Sequence, residues 1–386
     1  MASTTNHLST NENDETCFCL VIYSGYLCIQ DNRALDEALG FQDIYVKAIQ
    51  VAVDFNYPAT VGTEVDLKWL IWRHISLTKM NVTNNSGWGG GILRDRDLMK
   101  MVEISPNLLN CNLDSNIHLT DLSIASLLNS CSNLRELRLN CLVRFTGSGF
   151  SMVTNVLPAL KKLDLQGCLY VKDEFLAPFT KQVPNLSSIV FGDNQRITDI
   201  AISAMATNCK KLEVVRFERM IYVSDESISL LIRNCLQLRE IALNAVYNMR
   251  HRFEAIRLLD LCPLLQVIII QTLDDSFEIE DSTIQHVVNF CPLIQQLHMY
   301  SEHIHTTSLV TVRSIQAISD RLQRLQCLRL DVVSSTTFPT NLYLLEIERR
   351  PVTAFECLVR QCLRLKCADI RRNGCGIGDW FYQLLD

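Results

Sequence analysis

Cys131-Ser132-Asn133-Leu134-Arg135-Glu136-Leu137-Arg138-Leu139 is the phrase on which the fold turns, because the chain repeats it. The same spacing of apolar residues runs from Cys209 (C-K-K-L-E-V-V-R-F), Cys235 (C-L-Q-L-R-E-I-A-L), Cys262 (C-P-L-L-Q-V-I-I-I) and Cys291 (C-P-L-I-Q-Q-L-H-M). The intervals between these cysteines are 78, 26, 27 and 29 residues, and the first is three times 26. Two further copies fill that gap with proline in place of cysteine, at Pro158 (P-A-L-K-K-L-D-L) and Pro184 (P-N-L-S-S-I-V-F). A period near 26 marks a solenoid in which each unit packs on its neighbours, so the chain is read by repeat.

Working outward, copies start at Pro106, Cys131, Pro158, Pro184, Cys209, Cys235, Cys262 and Cys291, with looser ones around Leu322 and Cys362. Each carries an L-x-x-L-x-L core, a polar turn and a helical stretch such as Ser227 to Arg233. A short link with Thr, Ser or Asp near its end precedes the helix: Leu119-Thr120-Asp121, Ile197-Thr198-Asp199, Val223-Ser224-Asp225, Ile279-Glu280-Asp281. Side-chain oxygens at that place accept hydrogen bonds from the free N–H groups of the first helical turn.

This pattern resembles the cysteine-containing leucine-rich repeat and covers roughly residues 105–375. The resemblance implies an α/β fold: a leucine-rich-repeat solenoid (a ribonuclease-inhibitor-like horseshoe) with a parallel concave sheet and convex helices, preceded by a small helical N-terminal segment. A crossover of this length is what parallel strands need.

Composition bounds the function. Hydrophobic residues make up 48% of the 386 and charged residues 20%, a globular balance. A net charge of −6 argues against non-specific binding to nucleic acid or anionic membrane. There are sixteen cysteines, and the repeated ones sit about 26 residues apart at equivalent positions, like small buried hydrophobes. The start, M-A-S-T-T-N-H-L-S-T-N-E-N-D-E-T, lacks a basic leader, so the expectation is reduced thiols in a cytoplasmic and/or nuclear protein. The apolar stretch Cys17 to Ile29 is too short to span a bilayer.

No catalytic constellation stands out, so the expectation is a protein that is not an enzyme, with no cofactor and no metal. Ser86 to Gly91 is glycine-rich without the Gly-Lys-Ser/Thr of a phosphate loop. His303 and His305 have no ligand set around them, and the spacing of Cys357, Cys362, Cys367 and Cys375 is not that of paired zinc ligands.

Alternation in the core phrase sends the intervening residues to the sheet's outer face. One column reads Asn112, Arg138, Asp164, Val190, Arg216, Ala242, Ile269, His298, Arg329, Asp369. The other reads Asn110, Glu136, Lys162, Ser188, Val214, Glu240, Val267, Gln296, Cys327, Cys367. These columns predict a charge lattice (Glu136 beside Lys162, Arg138 beside Asp164) and then an apolar strip of Val190, Val214, Ala242, Val267 and Ile269. Either the strip is ordinary strand surface or, with His298 and Tyr300 at its end, it is a docking surface for a protein target, whose candidate contacts are these residues with Arg138, Asp164, Arg216, Glu240 and Arg329 and without Ala242.

Repeats of this kind commonly follow an F-box, a helical module that docks on the Skp-type linker of a cullin ubiquitin ligase. Ile22-Tyr23-Ser24-Gly25-Tyr26-Leu27 resembles its first helix, and Leu70-Ile71-Trp72-Arg73-His74-Ile75-Ser76-Leu77 its closing L-W-R-x-I-x-L. The Leu-Pro-x-Glu opening and the central V-C-K-x-W are missing, so residues 16–80 read as a degenerate F-box or as a plain N-terminal cap. The expected organisation is a disordered tail (1–15), this helical segment (16–80), the repeats (81–375) and a C-terminal cap (376–386). Two functions stay open. One is a substrate adaptor of a Skp–cullin–F-box ligase, with Ile22, Tyr23, Leu27 and Trp72 holding the linker. The other is a repeat scaffold or inhibitor that binds one protein and recruits no ligase.

Overall fold

The computed structural model describes residues 29–38, 50, 59–60, 64–82, 93–245, 254–272, 279–301, 310–332, 345–347, 350–352, 362, 364–365, 367–372 and 380–383. The tail, the glycine run, His303, His305, Cys357 and Cys375 lie outside these residues. The chain divides into two compact units, Met1–Phe175 and Leu176–Asp386.

The first unit alternates helix and strand: α1 (Ile29–Ala38), β1 (Ala59–Thr60), α2 (Glu64–Trp72), β2 (Lys79–Asn81), α3 (Asp95–Ile104), β3 (Asn110–Asn112), α4 (Asp121–Ser130), β4 (Glu136–Arg138), α5 (Ser148–Ser151) and β5 (Lys162–Asp164). Helix α6 (Asp173–Phe179) begins at its end. Strands β1 to β5 pair in parallel, in chain order, with Lys79, Asn110, Glu136 and Lys162 in one register line. The sheet therefore starts inside residues 16–80, ahead of the first recognisable copy of the core phrase.

The second unit continues with β6 (Ser188–Gly192), α7 (Asp199–Asn208), β7 (Val214–Glu218), α8 (Asp225–Asn234), β8 (Glu240–Asn244), α9 (Glu254–Arg257), β9 (Val267–Thr272), α10 (Asp281–Phe290), β10 (Gln296–Ser301), α11 (Val312–Arg321) and β11 (Cys327–Val332). A two-stranded hairpin of β12 (Leu345–Ile347) and β13 (Arg350–Val352) precedes β14 (Cys367–Arg372) and β15 (Trp380–Gln383). Strands β6 to β11 and β14 pair in parallel, and β15 lies antiparallel on β14. Each unit is thus a leucine-rich-repeat array, with one strand and one helical or 3-10 segment per turn. Strands are two or three residues long in the first unit and five or six between β6 and β11.

The core phrase puts its apolar residues inside: Leu134, Leu137 and Leu139, like Leu212, Val215 and Phe217, are buried. In the copy with the short helix α5, Phe145 and Phe150 fill the interior edge-to-face, with centroids 5.1 Å apart.

The repeated cysteines end the helices. Cys131, Cys209, Cys235 and Cys291 are C-cap residues whose backbone N–H closes the last helical turn. Their thiols donate back to the previous repeat: Cys131 to Ser105 O (3.5 Å), Cys209 to Val183 O (3.7 Å), Cys235 to Cys209 O (3.6 Å), Cys291 to Leu259 O (3.5 Å). Carbonyls left over at helix ends need such donors. Burial pushes Cys131 up to about 11, and Cys209, Cys235 and Cys291 to about 12, which keeps the donating proton in place.

At the other helix end the link does more than cap its own helix. Thr120, Thr198 and Thr311 accept from the N–H two residues on, at 3.2–3.4 Å. The Asp after the cap reaches the cap of the following repeat. Asp95 accepts from Thr120 N and Oγ1 (2.8 and 2.6 Å) and from Ser123 Oγ (2.6 Å). Asp121 accepts from Thr146 N and Oγ1 (3.1 and 2.9 Å) and from Gly149 N (2.9 Å). In the second unit Asp199 takes Ser224 N, Asp225 takes Ala255 N, and Asp281 takes Thr311 and Ser314.

A third device sits past each strand. Ser115, Cys141, Gly167, Asp193, Arg219 and Ala245 all have left-handed backbone (φ +48° to +73°), spaced 26 residues apart. Such a conformation costs a non-glycine residue about 1–2 kcal/mol. At 167 glycine also avoids crowding, since a Cβ there would lie 2.7 Å from Cys141 Sγ. After two of these turns the next residue is an inward polar anchor: Asn116 donates to Val82 O and Leu113 O, and Cys168 to Leu139 O.

Two outcomes follow. Asp121→Ala strips three donors of their acceptor and costs about 2–4 kcal/mol in urea unfolding, whereas Leu122→Ser at the exposed neighbouring position stays within about 0.5 kcal/mol. The raised thiol values carry a sign as well. Unfolded thiols ionise near 8.5 while the buried ones stay protonated, so stability is intact below that pH and falls as pH rises toward 11–12, by up to about 1.4 kcal/mol per unit for each thiol. Thermal melts from pH 7 to 10 test this slope; a flat profile contradicts it.

Candidate functional site

The sheet's outer face has the predicted register. Arg138 pairs with Asp164, and Val190, Arg216, Ala242, Ile269, His298, Arg329 and Asp369 occupy one line in the second unit. Ser188, Val214, Glu240, Val267, Gln296 and Cys327 occupy the line beside it.

In the first unit the lattice is tighter than nearest-neighbour pairing. Arg138 stands between two carboxylates, with Nη2 3.0 Å from Asp114 Oδ2 and Nε 3.7 Å from Asp164 Oδ2. Asn140 links the pair further: its backbone N–H donates to Asp114 and its side-chain amide to Asp164, both at 3.0 Å. Lys162 Nζ lies 3.5 Å from Glu136, which also accepts from Asn110 at 3.1 Å. Desolvation holds the Asp114 carboxyl above the usual carboxylate range, against the lowering pull of the Asn140 N–H and of Arg138. Asp114 belongs to neither predicted column; it sits two residues past the strand face, and sequence alternation alone does not point to it.

The apolar strip is corrected in two respects. Ala242 is buried, with 3% of its surface exposed, and Val190, Val214, Val267 and Ile269 are half-buried rather than open. Neighbouring strands run about 4.8 Å apart, so the long side chains on either side of Ala242 in the ladder roof its methyl. The strip is also interrupted: exposed Arg216 lies between Val190 and Ala242 and makes an ion pair with Glu240. The surface is therefore a half-buried apolar floor crossed by one charged pair. His298 and Arg329 are half-buried at its far end. The side chain of Tyr300, like Ile22, Tyr23 and Leu27, lies outside the described residues.

Ahead of the repeats, α1 and α2 are joined by buried polar contacts. Asp36 is fully buried and accepts from Trp69 Nε1 (2.8 Å) and Arg73 Nη2 (3.1 Å). Asp66, 1% exposed, accepts from Arg33 Nε at 2.9 Å. The Gln50 amide exchanges two hydrogen bonds with the Ser76 backbone. Leu67 and Leu70 are buried on one face of α2, with Trp69 turned inward at its margin, and the opposite face carries Val65 and Trp72 outward, 56% and 58% exposed; the Arg73 guanidinium lies 5.2 Å from the Trp72 ring centroid. Trp72 is the one predicted linker-binding residue with a described side chain.

Among the described residues no group of His, Cys, Asp and Glu is arranged to hold a metal ion. No described helix is long and apolar enough to cross a membrane.

No protein-family model matches the chain. It is similar to F-box/LRR-repeat protein 4 of Bos taurus, with 29% identity over 119 residues, which is 30% of this chain and 19% of that protein. The chain thus spans about a fifth of the length of this curated relative. Among solved structures it is similar to a chain of the crystal structure of the Rad7 and Elc1 complex in yeast, with 15% identity and a TM-score of 0.44, covering 81% of this chain and 98% of that one. The curated match supports the F-box/leucine-rich-repeat resemblance at low identity.

The lattice gives a titration to measure. Asp114 titrates above the ordinary carboxylate range, and removing the neighbouring cation in Arg138→Gln raises it further. Carbon-detected carboxyl NMR across pH 2–7 follows both; an Asp114 that titrates at its ordinary value in both proteins rejects the account.

Proposed function

We propose that the chain is a non-catalytic substrate adaptor of a Skp–cullin–F-box ubiquitin ligase, working in the cytoplasm and/or nucleus. The α1–α2 segment holds a Skp-type linker, and the outer face of the repeat sheet holds a protein target. The observation that carries this reading is α2: Leu67 and Leu70 bury one face, Asp36 holds Trp69 at its margin, and Trp72 and Val65 are exposed on the opposite face. An exposed tryptophan on a rigid helix is a typical interface anchor. Such a protein acts by holding target and ligase together, which raises their effective concentration. The similarity to an F-box/LRR-repeat protein supports the same reading.

A scaffold or inhibitor that binds one protein without a ligase would use the same sheet face, so the α2 surface decides between the two. Because β2 is part of the sheet, deleting residues 1–80 would damage the repeats, and surface variants of the full chain are the better instrument. The wild-type chain is expected to co-purify with a Skp-type linker, and Trp72→Ala with Val65→Ser to weaken that binding by about 30-fold, the loss of a hot-spot residue. A wild-type chain that does not bind the linker removes the ligase reading and leaves the scaffold. Val214→Glu with Ile269→Glu is expected to abolish target capture while leaving linker binding intact, since both side chains sit on the outer face.

A further inference from the structure

The edge of the second unit where helices end and strands begin has a chemistry that neither the sheet face nor α2 shares. Exposed cations occupy the turns at this edge: Lys210 and Lys211 after Cys209, Arg239 before β8, Arg324 after α11, and Arg364 before β14. Others close helical segments: Lys181, Arg233, Arg257 and Arg321. Against these nine stand three described carboxylates, Glu213, Asp260 and Asp320, and Glu213 is already paired with Arg239 at 3.2 Å. The helix dipole favours cations in last turns and accounts for the second group. It does not account for the cations in the turns beyond.

The middle of this edge is apolar and open. Leu236, Leu261, Leu264 and Phe290 are 38–52% exposed, and they are four of the seven large exposed hydrophobics described in the unit. They stand beside Cys235, Cys262 and Cys291 on three successive repeats, stacked through the Cys262 thiol on Cys235 O and the Cys291 thiol on Leu259 O. Lys210 and Lys211 lie in the repeat before this cluster, and Arg321 and Arg324 in the repeat after it. An apolar centre between cationic flanks is the layout of a protein interface.

We propose that this edge is a second docking surface, which takes an acidic protein segment carrying leucine- or phenylalanine-sized anchors. Charge complementarity selects the acidic flanks in a chain whose net charge is −6. Three of the four open side chains are leucines, which offer no stacking platform for bases, so with Phe290 as the single aromatic the cluster selects side chains over a phosphate backbone. The proposal goes beyond the adaptor reading and stands or falls without it, because neither Trp72 nor the sheet face takes part.

The test uses the full chain and three fluorescent probes of equal length: a peptide of Glu and Asp with Leu and Phe at every third or fourth position, oligoglutamate, and a single-stranded oligonucleotide. Anisotropy is expected to show the mixed peptide binding at least about 10-fold tighter than either control, and losing about 10-fold or more between 50 mM and 500 mM salt. Leu236→Ser with Leu264→Ser, and separately Lys210→Glu, Lys211→Glu with Arg324→Glu, are each expected to weaken it about 10-fold. Leu236, Leu264 and the three cations are exposed, so unchanged melting temperatures certify the variants; Lys210→Gln, Lys211→Gln with Arg324→Gln replaces the charge reversal if that protein melts early. Equal binding of the oligonucleotide or oligoglutamate overturns the proposal, as does a peptide affinity that ignores the substitutions.

Discussion

Side-chain hydrogen bonds from one repeat to its neighbour are what the rest of the molecule depends on. A parallel strand-and-helix coil ends with unpaired backbone groups at both helix termini, and burying a helix end without partners is costly. Here a carboxylate at the first position of one helix holds the cap of the next, as Asp121 does for Thr146 and Asp281 for Thr311. At the opposite terminus the Cys thiols hand a proton to the preceding coil. No single repeat completes its own bonding, so the array gains stability by adjacency, as a one-dimensional stack does.

This explains which parts of the structure were legible in the sequence. The cysteine period and the L-x-x-L-x-L phrase give strand position, facing and register, because each is a repeated local pattern. Within each unit both outer columns match the ladder residue for residue. The Asp contacts were only half legible: T-D reads as a local cap, and the reach into the next repeat needs the stacking distance. The burial of Ala242 was not legible at all, since it depends on the size of its neighbours in the ladder. Neither was the Asp36–Trp69 bond, whose partners are 33 residues apart with no period to relate them.

The surfaces divide by chemistry. In the first unit the sheet face is a charged lattice in which Arg138 stands between two carboxylates, so a partner there meets paired charges rather than apolar surface. In the second unit it is an apolar floor with one ion pair, where removing water is cheap and contact area counts. Around α2 buried Leu67 and Leu70 fix one face and thereby orient the other. Binding surfaces are best held by rigid elements, and each of these lies on a helix or strand whose reverse side is locked.

The left-handed turns bear on a hazard particular to repetitive proteins. Units of nearly equal length and similar cores can stack out of phase, with one coil seated where the next belongs. At two consecutive turns the residues are Asp193 and Arg219, whose guanidinium grips the carboxylate through two bonds of 2.6 Å. No other pair of adjacent turns in the series carries opposite charges. A slip by one unit would set each of them against a residue that cannot answer it. The pair therefore works as a keyed joint, marking one place among the described turns where the count of coils is checked.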